Sequence, residues 1–293
     1  MKHYIKIIFG LIDILSHGLI KNQVTIGLVY HEVSDSPCQM SLDTGTYTLV
    51  SSFNKHMRWI SKYYNVISGT TMIRRQNSSQ KTNLVLTFDD GYKSFKTNIV
   101  PIISAFGFQT TCFINGETSK GGINSSALVS YLSKTKNEEL DWKNSNPEYF
   151  RTRLAELSSD DVMDLKNYQG EFMSEKELIE ISENELIELG NHLFNHWYCP
   201  SLTEQELVTA IHLNSIFLEK IGTFEKLLCW PHGVSLKEHS ELSKRLGIKV
   251  QFYGSRSRNR GDEVINFCRA DMNERNSNYF VFRGSLLLVR LRA

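Results

Sequence analysis

Short β-rich runs alternate with helix-like stretches along most of this chain, and that alternation constrains the fold more than any other feature. Apolar or β-branched runs at Val24–Tyr30, Leu84–Phe88, Phe108–Ile114, Leu227–Trp230, Val250–Tyr253 and Val264–Cys268 read as strands. Between them, Phe53–Tyr63, Tyr92–Phe106, Glu204–Ile221 and Leu236–Leu246 carry apolar residues at helical spacing. Strand, helix, strand order implies parallel strands joined by right-handed crossovers, and barrels of this kind gather catalytic groups at the C-terminal strand ends. With 293 residues, 41% of them hydrophobic, the chain can build one large α/β barrel or two small domains. No internal repeat or low-complexity tract interrupts the pattern.

Leu84-Val85-Leu86-Thr87-Phe88 runs straight into Asp89-Asp90-Gly91. Gly91 permits a turn that brings both carboxylates to one place, where they repel unless a cation sits beside them. The pair therefore reads as one metal ligand and one proton-handling group. A solvated Asp-Asp-Gly turn is the plain alternative. Gly190-Asn191-His192-Leu193-Phe194-Asn195-His196 follows a helix-like segment and sets two imidazoles four apart, on one face of a helix or tight loop. Two neutral imidazoles and a carboxylate suit a borderline cation such as zinc, with a position left open for water. A third apolar run ends in Cys229-Trp230-Pro231-His232-Gly233.

In that order, Thr87-Phe88-Asp89-Asp90-Gly91, His192-x-x-x-His196 and Trp230-Pro231-His232-Gly233 resemble the first three motifs of the polysaccharide deacetylases, carbohydrate esterase family 4 with its NodB-like homology domain. Tyr30-His31-Glu32-Val33 and Arg269-Ala270-Asp271 resemble an early strand end and a late arginine-bearing strand, so the likeness spans about residues 24 to 271. It implies a distorted (β/α) barrel in which Asp90, His192 and His196 hold a divalent metal, zinc by preference, and Asp89 is the base. His31, Trp230 and Pro231 would line the substrate site. Two departures stand out. Cys229 occupies a position where many members have an arginine facing the catalytic aspartate, and Arg269, by charge and order alone, is the substitute. Members often end in a Leu-x-His that supplies the general acid, yet no histidine follows His239 here. His232 and His31 are the candidates, each of which could instead be a packed, hydrogen-bonded histidine.

Asp90 and His192 lie about twice as far apart as the family needs, and the excess, about residues 117–172, reads as an insertion: lid, recognition element or solvated decoration. It opens on the polar, flexible-looking Ser119–Ser126 and continues through helix-like Leu154–Tyr168. The expected layout is an amphipathic N-terminal helix over 1–23, a catalytic domain over 24–275 and a C-terminal extension over 276–293. Ile5, Ile8, Leu11, Ile12, Leu15 and Leu19 give the first segment helical periodicity, for packing on the barrel or lying on a membrane surface. In the tail, Arg283, Arg290 and Arg292 stand among apolar residues, which suits a final docking element and an anionic contact.

The 33 Lys+Arg against 32 Asp+Glu give no charge that argues for nucleic acid. Five dispersed cysteines without a Cys-x-x-Cys indicate neither a disulfide framework nor a cysteine zinc site. With no cleavable signal and no spanning apolar run, the expected location is cytoplasmic, with contact at the inner membrane surface as the peripheral variant. The expected activity is removal of an N-acyl group, acetyl first, from an amino sugar of a polysaccharide, oligosaccharide or lipid-linked precursor in cell-envelope glycan synthesis. The alternatives are a deformylase acting on a lipid-linked sugar and a catalytically impaired sugar-binding homologue.

Overall fold

The computed structural model describes residues 2–15, 25–73, 81–222, 224–254 and 265–290. Eight parallel strands lead to the site: β1 (Ile26–Tyr30), β2 (Tyr64–Ile67), β3 (Thr82–Phe88), β4 (Thr110–Ile114), β5 (Ile187–Asn191), β6 (Phe224–Cys229), β7 (Val250–Tyr253) and β8 (Ile265–Asp271). Seven close into a barrel, because β1 pairs with β8 on one side (Gly27 with Arg269) and with β3 on the other (Ile26 with Leu84, Tyr30 with Phe88). Strand β2 pairs with Thr82–Val85 of β3, and β4 pairs further along at Thr87 and Phe88. The parallel strands expected from the alternation and the distorted (β/α) barrel implied by the resemblance are therefore present.

Alternate residues of successive strands, Val85, Phe113, Leu227, Phe252 and Phe267, form one buried cluster, as the inward set of a closed barrel does. Gly27 is part of the reason so many aromatic rings fit: a Cβ there would lie 2.5 Å from Phe267 and 2.9 Å from the Arg269 side chain. Outside the strands, Phe53, Met57 and Ile60 of α2 (Val50–Tyr63) pack against Leu28, Leu84 and Leu86.

Strands β2 and β5 are additions to the sequence reading, which had a helix-like segment before Gly190. Both strands carry polar residues, Asn65 in β2 and Glu188 and Asn191 in β5, that hide the apolar run. The stretch read as one helix over Tyr92–Phe106 begins as a π-turn, Phe95–Ile99, before α3 (Val100–Phe106). Pro101 lacks an N–H for the ordinary i to i−4 bond, so the hydrogen-bonding register shifts there.

Between β4 and β5 the chain builds α4 (Ser125–Thr135), α5 (Pro147–Ala155), α6 (Ser159–Gln169) and α7 (Glu175–Ser182). The helix expected over Leu154–Tyr168 is broken at Ser158, whose hydroxyl and Asp161 form a reciprocal cap that starts α6. Nor is Ser119–Ser126 a loose polar tract. Ser119, Asn124, Ser125 and Ser126 are buried, and Asn124 caps α4 through a bond from the Ser126 N–H. After β5 come α8 (Glu204–Ile221) and α9 (Lys237–Arg245).

At the ends, α1 (Lys2–Leu15) lies against α10 (Tyr279–Arg290), close enough that a Cβ on Gly284 would sit 1.8 Å from the Lys6 carbonyl oxygen. Lys6 Nζ donates to Asn276 Oδ1 at 2.9 Å. Helix α10 docks through Phe282 and Leu286 into the main core, and Arg283 is buried over Trp59. The opposite side of α1 leaves Tyr4, Ile8 and Leu11 exposed. The expected continuation of the first helix through residues 16–23, the side chain of Arg290, and Arg292 lie outside the described residues. Among the described residues, no helix is long and apolar enough to cross a membrane.

Candidate active site

Strand β3 stops at Phe88 because the next backbone conformations are not extended. The Asp89 N–H donates to Tyr30 O at 3.0 Å, and Asp90 (φ 72°) and Gly91 (φ 76°) are both left-handed. Two such residues in a row fold the chain back and set both carboxylates over the barrel mouth; glycine bears its share without strain. The turn is held from outside. Gly91 O accepts from the Met173 N–H, and the Lys93 N–H donates to Glu171 O, so the last residues of the β4–β5 segment strap it down.

The histidine pair lies on neither helix face. It occupies a loop after β5 in which Leu193 (φ 57°) and His196 (φ 58°) are left-handed. Three buried amides hold that loop. Asn115 Nδ2 donates to the carbonyls of His192 and Leu193, and Asn191 Oδ1 accepts from the Leu193 N–H. Asn214 Nδ2, from α8, donates to Asn191 Oδ1 and to Ile114 O. Both imidazoles then turn Nε2 towards Asp90 Oδ1, each at 3.3 Å. On its far side His192 Nδ1 lies 2.9 Å from the Cys229 carbonyl oxygen and donates to it; burial would lower the imidazole's pKa, but Cys229, Asp89 and Asp90 outweigh it and raise it well above the ordinary value, so a cation at Nε2 would displace a proton.

Asp90 Oδ1 is fully buried without a hydrogen-bond partner, and one donor atom from each of Asp90, His192 and His196 lies within 4.8 Å of the others. An orphaned buried carboxylate oxygen between two imidazole nitrogens is costly. A divalent cation removes that cost, and a carboxylate with two neutral imidazoles suits zinc or its neighbours. Burial would raise the Asp90 carboxyl, but His196 and His192 outweigh it and hold it well below the usual carboxylate range. Burial brings the His196 imidazole down to about 4, the neutral form a ligand requires.

Asp89 sits beside this group, its Oδ2 3.9 Å from His192 Nε2. Arg269, from the end of β8, grips it with both arms: one terminal nitrogen donates to Oδ1 at 2.7 Å and the other to Oδ2 at 2.8 Å. The guanidinium also donates to Thr87 Oγ1 and to Cys229 Sγ, and lies over the Phe113 and Phe252 rings. Burial would raise the Asp89 carboxyl, yet Arg269 prevails and brings it to about 2. Cys229 donates its S–H to Asp89 Oδ2 at 3.4 Å, and burial pushes its own pKa up, so it remains a thiol.

The other sequence-derived candidates fall in different surroundings. Trp230 is completely buried and its indole N–H donates to Gln251, which makes it a core side chain rather than a cleft wall; Pro231 is buried too. His232 (φ 57°) packs its ring between Trp142 and Tyr198, with ring centroids 5.3 and 5.5 Å away. Burial takes its pKa well below the ordinary value, a poor state for a proton donor. His31, half-buried after β1, lies near enough to lower the pKa of both aspartates. Several site residues carried no signal in the sequence: Asn115, Asn191 and Asn214, the serines 125, 126 and 145, and the half-buried Trp142 and Tyr198.

Residues 76–251, more than half of the chain, match the family profile described as polysaccharide deacetylase. Among curated proteins, none matches. The structure is similar to the Streptococcus pyogenes deacetylase PplD in complex with acetate, with a TM-score of 0.63 and 13% identity, covering 89% of this chain and 97% of that one. It is similar to a de-N-acetylase from Aggregatibacter actinomycetemcomitans at 0.62 and 16%, covering 89% and 99%. IcaB from Ammonifex degensii gives 0.62 and 12%, covering 90% and 98%. At these identities the likeness is one of fold.

Proposed function

The chain belongs to the polysaccharide deacetylase family, and from that premise we propose that it is a metal-dependent hydrolase removing an N-acetyl group from an amino sugar in a polysaccharide, oligosaccharide or lipid-linked glycan precursor. The observation that carries the reading is the orphaned Asp90 Oδ1 with two imidazole nitrogens 3.3 Å away. Asp90, His192 and His196 would hold the cation. A divalent ion there supplies a Lewis acid for the amide carbonyl and lowers the pKa of a water.

Asp89 takes the proton of the attacking water, as a general base within reach of the same centre. Arg269 fixes both carboxylate oxygens and keeps Asp89 ionised, the part played by arginine at the Cys229 position in other members. His31 delivers the proton to the departing amine; His232, neutral and packed, is the weaker candidate. A backbone N–H at the Pro231–Gly233 turn would share the charge of the tetrahedral oxyanion. Trp142 and Tyr198 offer half-exposed rings for the face of a sugar.

The same reading takes the protein to be cytoplasmic, with Tyr4, Ile8 and Leu11 of α1 meeting the inner membrane surface; recovery from the secreted fraction would overturn that part. The activity is tested by amine release from N-acetylglucosamine oligomers with and without chelator. Activity should vanish with chelator and return with zinc. Asp89→Asn should keep the metal and lose turnover by about 100-fold or more. Loss of zinc in Asp89→Asn, or retention of one equivalent in His196→Ala, contradicts the assignment.

A further inference from the structure

The β4–β5 segment reaches into the metal centre. Ser126, in the first turn of α4, has its Oγ 2.8 Å from His196 Nδ1 and 3.1 Å from His232 Nε2. Ser125 and Ser145 from the same segment lie against each other and within 2.8 and 3.2 Å of the His196 carbonyl oxygen, so one hydroxyl donates to that carbonyl and the other donates either to it or to its neighbour. All three serines are buried. His196 itself has a left-handed backbone, φ 58°, which a non-glycine residue keeps only when its surroundings hold it.

The direction of the protons follows from the geometry. His196 faces Asp90 with Nε2, so a metal ligand at this position needs its lone pair on Nε2 and its proton on Nδ1. That proton can go only to the atom beside it, and Ser126 Oγ accepts it. The Ser126 hydroxyl hydrogen is then free for His232 Nε2 at 3.1 Å, nearer than its other neighbour, Ser145 Oγ at 3.5 Å, which places the His232 proton on Nδ1. One hydroxyl thus fixes two histidine tautomers.

We infer that Ser126 is a positioning residue for the metal centre: it orients His196 and selects its metal-binding tautomer, with His232 as the far end of the chain. This rests on reading Asp90, His192 and His196 as metal ligands. The outer partner of His192 is a main-chain carbonyl, which no substitution removes. The outer partner of His196 is a side chain lent by a segment far away in sequence, and that makes it testable.

The experiment is zinc binding by the full chain, stripped of metal and titrated against a chromophoric chelator. Ser126→Ala should weaken zinc affinity by roughly 10 to 100-fold, the usual effect of removing an outer-shell partner. Ser126→Thr, which keeps the hydroxyl, should bind nearly as wild type, and Ser126→Val, of the same shape without it, should bind as Ser126→Ala. If the alanine variant does not fold, the threonine and valine pair decides. Long-range ¹⁵N–¹H correlation on the zinc-loaded wild type should show both His196 and His232 protonated on Nδ1. Equal zinc affinity in the threonine and valine variants, or a wild-type His232 protonated on Nε2, overturns the proposal. A wild type that binds no zinc instead overturns the ligand assignment on which it rests.

Discussion

Replacing Arg269 by methionine removes the two charge-assisted hydrogen bonds, 2.7 and 2.8 Å long, that Asp89 receives from the guanidinium, and leaves a carboxylate that is only 5% exposed. In the wild type Asp89 titrates near 2 in the folded chain against an ordinary 3.8. A folded value below the unfolded one contributes stability above pH 4 that is lost as pH falls towards 2, about 2 kcal/mol from this shift. An opposite charge at contact lowers a carboxyl by roughly 1 to 3 units, so its loss should bring Asp89 back to at least 3 to 5, with burial raising it further. Once that value exceeds 3.8 the sign reverses, and the variant should lose stability as pH rises from 4 to 7. Removing one partner of a buried pair costs about 3–5 kcal/mol at neutral pH. Adding Asp89→Asn should recover much of it, because no charge is then left buried. Urea unfolding of the wild type, the two single variants and the double variant at pH 2 to 8 measures all three effects. In the same variants the acidic limb of kcat/KM for amine release should move upward in Arg269→Met. A double variant whose losses simply add, together with an unmoved acidic limb, would refute Arg269 as the partner of Asp89.

His56 is buried, its Nε2 donating to Ser277 O at 3.3 Å and its Nδ1 accepting from the Tyr30 hydroxyl at 3.0 Å, and burial lowers its pKa to about 4 from 6.5. The unfolded chain binds more protons between those values, so stability should fall by about 3 kcal/mol as pH drops from 7 to 4, and His56→Gln should flatten that slope in unfolding curves. Trp142→Ala should raise KM for N-acetylglucosamine oligomers by roughly 3 to 10-fold with kcat little changed, the worth of about one aromatic contact; an unchanged KM removes it from the substrate path. Gly284→Leu forces a side chain into the Lys6 carbonyl and should release α1 from α10, seen as faster tryptic cleavage at Lys6. Cleavage at the wild-type rate would mean that the helix pair adjusts.

The barrel and half of its site are legible because they are local. Phe88-Asp89-Asp90-Gly91 announces a strand end, a turn that needs glycine, and two carboxylates that cannot share a place without a cation. Arg269 could be singled out only by the mismatch at Cys229. The histidine spacing pointed to a helix face or tight loop, and the loop is the answer because Asn115, Asn191 and Asn214, brought together from three elements, hold it at left-handed Leu193, while serines 125, 126 and 145 hold left-handed His196. Those asparagines, like Ser126, act across 20 to 100 positions of sequence, where no periodicity records them. The resemblance places Trp230 at the substrate site only because it belongs to the third motif, whereas its indole is directed at Gln251 in the core.

The clasp on His196 also bears on how such a protein can diverge. A connection that merely covered a cleft could be shortened or traded between relatives with the chemistry beneath it untouched. Here the same stretch of chain lends three hydroxyls to one histidine and pins the turn that carries Asp90. If Asp90, His192 and His196 hold a metal as proposed, trimming this stretch would disturb the ligands as well as the cover, so the barrel would not be a chassis with an exchangeable cover. On that reading, new preferences would arise by point changes on the outward rim, at positions such as Trp142, with the inner serines kept.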